Sequence, residues 1–82
     1  MLTLELLGTQ GCHLCDDAEQ VLVSALDLQQ IAVELVDIAE SDELMDAYAL
    51  HIPVLRHVET GADLGWPFDG MQVQAFVANL QA

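Results

Sequence analysis

The chain has 82 residues, which is enough for one small domain spanning residues 1–82. Hydrophobic residues make up 54% of the sequence, so a core can form and a disordered chain is excluded. Fourteen acidic residues stand against one strong cation, Arg56, and the formal net charge is −13. Such a chain cannot neutralise a row of phosphates, and this excludes nucleic acid and anionic membrane surfaces as direct partners.

The sequence also predicts the setting in which the protein works. Carboxylates interrupt the apolar runs, so no stretch of about 18 residues is free of charge and no membrane span is expected. The first residues, Met1 to Glu5, lack the positive region of a secretory signal. We therefore expect a cytoplasmic protein, and we expect it to be a monomer.

A strand, a loop and a helix are predicted first along the chain. Leucines alternate over residues 2–7 and predict a strand. The glycines of residues 8–11 predict a loop. Apolar residues at helical spacing then predict a helix from Cys12 or His13 to about Leu28, with carboxylates in its first turns.

The rest of the chain predicts two helices and three strands. β-branched residues indicate a mostly buried second strand, Ser41 is typical of a helix N-cap, and Asp69 to Gln72 resembles a capping box. The predicted elements are a strand over residues 31–38, a helix over 42–50, strands over 53–58 and 63–66 joined by a turn, and a helix after residue 69 whose core residues include Met71, Phe76 and Val77. The order βαβαββα predicts an α/β fold: a four-stranded mixed sheet with three helices on its faces.

The two cysteines, Cys12 and Cys15, form a Cys-x-x-Cys pair where the glycine loop meets the first helix. Without a secretory signal, this pair indicates redox or metal chemistry rather than a structural disulfide. A thiol at a helix N-terminus faces unpaired backbone N–H groups and a partial positive charge, and both favour the thiolate. We therefore predict that Cys12 is the exposed nucleophile and that Cys15, one turn further along, is the resolving thiol.

The strand, the loop with Cys12-His13-Leu14-Cys15, the helix, and Ile52-Pro53 before the final hairpin resemble the glutaredoxin branch of the thioredoxin fold. The resemblance covers nearly the whole chain and is greatest to small glutaredoxin-like proteins with Cys-His-Leu-Cys. It implies thiol–disulfide oxidoreductase activity, in which a disulfide-containing protein or a low-molecular-weight thiol is the partner. It also implies a cis Ile52–Pro53 bond beside the nucleophilic sulfur, with Ile52 pairing with substrate backbone.

Glutathione is the co-substrate that the resemblance implies, and no other cofactor is expected. Glutaredoxins that bind glutathione usually carry a cation shortly before the first cysteine, whereas residues 7–11 here contain none. The resemblance also implies that Asp69 meets the ammonium of the γ-glutamyl group, although helix capping explains the same residue. The sequence therefore weakens the expectation of a glutathione site.

Other residues admit simpler interpretations. His13 lies between the cysteines and is predicted to tune sulfur chemistry and contact substrate, whereas His51 and His57 are predicted at the surface or at strand ends. Trp66 is predicted to anchor a turn against the last helix, and Arg56 to pair with an acidic residue.

Two alternatives to an oxidoreductase remain open. The first is a non-catalytic or redox-regulated interaction module on the same fold. The second, which is weaker, is an iron–sulfur carrier bridging two chains through Cys12 and glutathione. A zinc site is not predicted, because His51 and His57 would lie about 20 Å apart along a strand and could not share one ion with the cysteines.

Overall fold

The computed structural model describes residues 2–81, which form four strands and three α-helices in the predicted order. The strands are β1 (Leu2–Gly8), β2 (Ile31–Asp37), β3 (Val54–Arg56) and β4 (Asp63–Gly65). The helices are α1 (His13–Ala25), α2 (Asp42–Tyr48) and α3 (Gly70–Gln81). One 3₁₀ turn, Ile38–Glu40, leads from β2 towards α2. None of the described helices has the length and apolar character needed to cross a membrane.

The strands form one mixed sheet in the order β2-β1-β3-β4, and this confirms the predicted architecture. β1 runs parallel to β2 and antiparallel to β3, and β3 forms a hairpin with β4. Because of these directions, β1, β2 and β4 end on the side of the sheet where β3 begins. We call this side the cysteine end, since the loop that follows β1 leads directly to Cys12.

Alternation along β1 divides the core between the two faces of the sheet. Leu4 and Leu6 lie in the larger cluster, with buried residues of α1 and α3. Leu7 lies in a smaller cluster with Ile38 and Val54, against which residues of α2 pack. α1 and α3 therefore cover one face and α2 covers the other, and β1 is held firmly between them.

The first helix is shorter than predicted. α1 ends at Ala25, because Leu26 adopts an extended conformation. Asp27 then starts a turn: its side chain accepts a hydrogen bond from the Gln29 N–H, and its carbonyl accepts from the N–H of Ile31. Leu28 fits the helical spacing but is half exposed. The helical spacing of apolar residues therefore overestimated the length of α1, because the turn formed by the Asp27 side chain competes with the helix.

The prediction that the second strand is mostly buried is also wrong. β2 lies at the edge of the sheet, and Glu34 and Leu35 are exposed. Met71, predicted in the core, is 79% exposed on the first turn of α3. The hairpin strands are shorter than predicted, since the N–H of His57 already bonds to the Ala62 carbonyl as part of the turn.

Candidate active site

Cys12 lies at the N-terminus of α1, where it caps the helix. It has an extended conformation, and its Sγ accepts a hydrogen bond from the backbone N–H of Cys15 at 3.2 Å. This N–H is one of the donors that a helix leaves unpaired in its first turn. Gly11, just before the cap, has a φ of +79°, which a residue without Cβ adopts easily. The chain therefore turns sharply out of β1 and presents a sulfur where the helix stabilises negative charge.

Cys15 lies one turn into α1 and forms a disulfide with Cys12. The two Cα atoms are 5.3 Å apart, within the usual range for a disulfide. Both cysteines are half-buried, so overall burial does not separate the predicted exposed nucleophile from the predicted resolving thiol. The predicted proximity of the two sulfurs is confirmed; their separate roles stay predictions.

Gly8, the last residue of β1, lies directly against Cys15. It is buried, and a Cβ added to it would lie 2.7 Å from the Cys15 Sγ, closer than real Cβ atoms approach a neighbour. From the sequence, Gly8 was predicted only to be part of a loop. The sequence did contain a signal for this contact. Gly8 stands where an apolar strand turns towards a cysteine pair, and glycine permits the close approach of other atoms.

Beside Cys15, a cavity of about 280 Å³ opens between α1 and the ends of β1 and β2. Its lining includes the carboxylates of Asp16, Glu19, Asp37 and Glu40, contributed by three separate elements. The single strong cation of the chain, Arg56, is engaged elsewhere by Glu5. The surroundings of Cys15 are therefore strongly negative, and neither Asp37 nor Glu40 was predicted to be near the cysteines.

Ile52 and Pro53 lie at the cysteine end of the sheet. The Ile52–Pro53 bond is cis, as the resemblance implied, and Trp66–Pro67 is a second cis bond that was not predicted. Leu7 pairs with Val54 in the antiparallel register, so continuing that register by one residue places Pro53 opposite Gly8. Pro53 is buried and Ile52 is half-buried. The substrate contacts predicted for these two residues stay predictions.

Asp69 lies at the N-terminus of α3, directly before Gly70, where an added Cβ would lie 3.6 Å from the Cβ of Ala25. Ala25 is the last residue of α1, so Asp69 lies near the opposite end of that helix from Cys12. Its Oδ1 accepts a hydrogen bond from the Gln72 N–H at 2.8 Å, while the Gln72 Oε1 accepts from the Asp69 N–H at 2.9 Å. This is the predicted capping box. Nearby, Trp66 packs against the larger core and meets Phe68 edge-on, with ring centroids 5.0 Å apart. The capping role of Asp69 is confirmed, and its predicted contact with substrate is a separate matter that stays a prediction.

The structure gives the surroundings of His13, His57 and Arg56. His13 is the exposed first residue of α1, next to Cys12. His57, predicted at the surface or at a strand end, directly follows the last residue of β3 but is buried, and its Nδ1 lies 2.8 Å from the hydroxyl of Thr60 in the hairpin turn. Arg56 donates to Glu5 at 2.7 Å across β1 and β3, and this hydrogen bond raises the pKa of Arg56 above its ordinary value while burial opposes the rise. Within residues 2–81, no three His, Cys, Asp or Glu side chains converge on a possible metal site.

Comparison with known proteins agrees with this geometry. The family model described as glutaredoxin-like domain (DUF836) matches residues 3–78. The crystal structure of the structural genomics target XcR50 from X. campestris is 37% identical, with a TM-score of 0.81 over 93% of this chain and 96% of that one. The solution structure of Ne2328 from Nitrosomonas europaea is 26% identical, with a TM-score of 0.73 over 92% of this chain and 89% of that one. No protein of curated function matches the sequence. With its helix-capping cysteine pair and its mixed four-stranded sheet, the chain belongs to the glutaredoxin-like domain family.

Proposed function

We propose that the protein is a thiol–disulfide oxidoreductase that reduces protein disulfides or mixed disulfides through Cys12 and Cys15. The observation that carries the proposal is the hydrogen bond from the Cys15 N–H to the Cys12 Sγ at the N-terminus of α1. A thiolate is a stronger hydrogen-bond acceptor than a thiol, so this N–H favours the ionised sulfur. The thiolate is the nucleophile in disulfide exchange.

The proposed reaction has two exchange steps. In the first, the Cys12 thiolate attacks one sulfur of the substrate disulfide, forms a mixed disulfide and releases the other substrate sulfur as a thiolate. In the second, the Cys15 thiolate attacks the Cys12 Sγ and releases the remaining substrate sulfur. The protein then holds the Cys12–Cys15 disulfide, and two electrons from an external dithiol or from two monothiols restore the pair.

The charges of the site favour a protein substrate over glutathione disulfide. Glutathione is a net anion near neutral pH, and the cavity beside Cys15 is lined by four carboxylates. Residues 7–11 contain no cation for the glutathione carboxylate. A missing charge-assisted hydrogen bond weakens binding by about 1.5–3 kcal/mol, which corresponds to about 10- to 150-fold.

The test is to trap the mixed disulfide in a Cys15→Ser variant. The serine keeps the backbone N–H that caps Cys12 but removes the attacking sulfur of the second step. Incubated with a small disulfide-bonded basic protein, the variant is expected to accumulate a covalent adduct that intact-mass measurement detects. The parent protein should instead resolve the adduct and end as the Cys12–Cys15 disulfide.

Cys12→Ser is the matched control, because it keeps one thiol of the pair but removes the nucleophile. It should form the adduct at a much lower rate. If Cys15→Ser formed no adduct with the basic protein or with glutathione disulfide, the oxidoreductase proposal would be wrong. The protein would then be interpreted as a non-catalytic or redox-regulated interaction module.

A further inference from the structure

The outer edge of β2 is open. β2 pairs along its whole length with β1, in the register Leu2↔Ile31 to Gly8↔Asp37, and no strand among residues 2–81 lies on its other side. An unpaired edge presents N–H and C=O groups to a further strand. Proteins commonly block such edges with lysine, proline or a bulge. The sequence of β2, IAVELVD, carries two carboxylates, Glu34 and Asp37, but neither lysine nor proline, and its pairing with β1 is continuous.

An apolar groove runs beside this edge, between α1 and β2. It has a volume of about 210 Å³ and is lined by Glu19, Leu22, Val23, Leu28, Val33 and Leu35. Three of its apolar side chains are at least half exposed: Val23 at 60%, Leu28 at 50% and Leu35 at 66%. We call this feature the α1–β2 groove. An extended segment paired with β2 would cover it, because alternate side chains of a strand point to one face.

The groove continues into the cavity beside Cys15. Glu19 and Leu35 line both spaces, so an occupant of the groove would extend towards the cysteine pair. The carboxylates of Asp16, Asp37 and Glu40 line the cavity further on. The surface therefore combines an open strand edge, an apolar groove and a negatively charged end next to the disulfide.

We propose that the α1–β2 groove and the open edge of β2 bind an extended, basic segment of the substrate protein. The inference rests on the proposed function, since it names the class of substrate that the cysteine pair meets. Backbone groups of the segment pair with β2, its apolar side chains enter the groove, and its lysine or arginine side chains meet the carboxylates at the cysteine end. A second copy of this chain is a poor occupant, because two chains of net charge −13 would repel each other.

The test measures binding separately from disulfide exchange. The protein is kept in its disulfide form, and the probe is a cysteine-free ten-residue lysine–valine peptide, with valines at alternate positions of its middle and lysines at both ends. Two matched peptides replace lysine by glutamate or valine by serine. The lysine–valine peptide is expected to shift the backbone amide signals of residues 31–37 and of the exposed face of α1, with an affinity that falls as salt rises.

Paired variants locate the site. Leu35→Lys places a charge on the strand edge and removes apolar contact area, and it should weaken the lysine–valine peptide about tenfold. Met71→Lys makes the same change of charge at a residue that is 79% exposed on α3, and it should leave the affinity unchanged. Thermal unfolding of both variants checks that the fold persists.

Three results of the peptide experiments would overturn this inference. One is equal binding of the glutamate–valine peptide, another is equal weakening by both variants, and the third is amide shifts confined to residues 51–54 and 66–69. Self-association of the free protein that Leu35→Lys abolishes would also overturn it, because a second copy would then occupy the groove. Failure here with a trapped adduct in Cys15→Ser would leave the oxidoreductase proposal intact, whereas peptide binding without any adduct would refute only the exchange chemistry.

Discussion

Gly8 offers the sharpest test of how the fold controls the cysteine pair. In Gly8→Ala the new methyl carbon would lie 2.7 Å from the Cys15 Sγ, whereas ordinary contacts begin at 3.4 Å. The sulfur would have to retreat by about 0.7 Å, the difference between these two distances. In the dithiol form the Cys15 side chain can rotate away. In the disulfide form the same sulfur is bonded to Cys12, so the strain of the added methyl group falls mainly on the oxidised protein.

The size of the effect follows from the cost of overpacking. Forcing an extra methyl group into a packed site costs about 1–3 kcal/mol. If this cost falls on the disulfide form alone, the equilibrium constant for forming the disulfide drops about 5- to 150-fold. The reduction potential of the pair then rises by about 20–65 mV, because 30 mV corresponds to about 1.4 kcal/mol for two electrons. Gly8→Ala should therefore make the protein a stronger oxidant.

The measurement is equilibration in glutathione redox buffers, followed by acid quenching, alkylation and mass determination of the two forms. Gly65→Ala is the matched control, since Gly65 also ends a strand at the cysteine end and a Cβ added there meets nothing within 4 Å. It should leave the potential unchanged. Equal potentials for the two variants, or a lower potential for Gly8→Ala, would refute the claim that Gly8 makes room for the bonded sulfur. Unfolding free energies should agree, with Gly8→Ala destabilising the oxidised protein more than the reduced one.

Three further predictions concern the order of thiol reactivity, the cap of α3 and glutathione. In the reduced native protein, iodoacetamide should label Cys12 before Cys15, as peptide mapping would show; faster labelling of Cys15 would reverse the proposed roles. Asp69→Ala should lower the unfolding free energy by about 1 kcal/mol, and Asp69→Asn should not, because asparagine also caps helices; slower exchange in a fully stable Asp69→Asn would assign the carboxylate to substrate instead. Turnover of glutathione mixed disulfides should be slow and should rise with ionic strength, because salt screens the repulsion between two anions; efficient turnover that is flat in salt would contradict this expectation.

Much of the fold could be predicted because local signals agreed with one another. Ser41 and Asp69 cap α2 and α3 as their side chains suggested, with Ser41 accepting from the Leu44 N–H and Asp69 from the Gln72 N–H. These are interactions between residues close together in the sequence, so local sequence patterns predict them. The edge position of β2 could not be predicted in the same way, since the run IAVELVD suits a buried or an edge strand equally well. Sheet order depends on contacts between distant residues, and hydrophobic runs carry little information about it.

In the candidate site, too, local features were predictable and long-range features were not. The cysteine pair and its helix were predictable, because a Cys-x-x-Cys motif at the junction of a strand, a loop and a helix is a local pattern. The acidic cavity was not, since Asp37 and Glu40 reach it only because β2 lies parallel to β1 and ends on the same side of the sheet. The strand-end position of His57 was predictable, but its burial was not, because its partner, the Thr60 hydroxyl, is supplied by a turn whose shape the sequence did not specify.

The helix terminus and the acidic surroundings act on the sulfurs over different distances. The Cys15 N–H contacts the Cys12 Sγ at 3.2 Å and points at it, so its effect on ionisation is direct and little affected by salt. Asp16 and Asp17 lie within one helical turn of the sulfurs, but both are exposed, and the high dielectric constant of water weakens the interactions of exposed charges. The hydrogen bond should therefore dominate the chemistry of Cys12, while the carboxylates mainly decide which disulfides approach it. On this reasoning, replacing cavity carboxylates by amides changes substrate preference and its salt dependence more than it changes the intrinsic reactivity of Cys12 towards a small neutral alkylating agent.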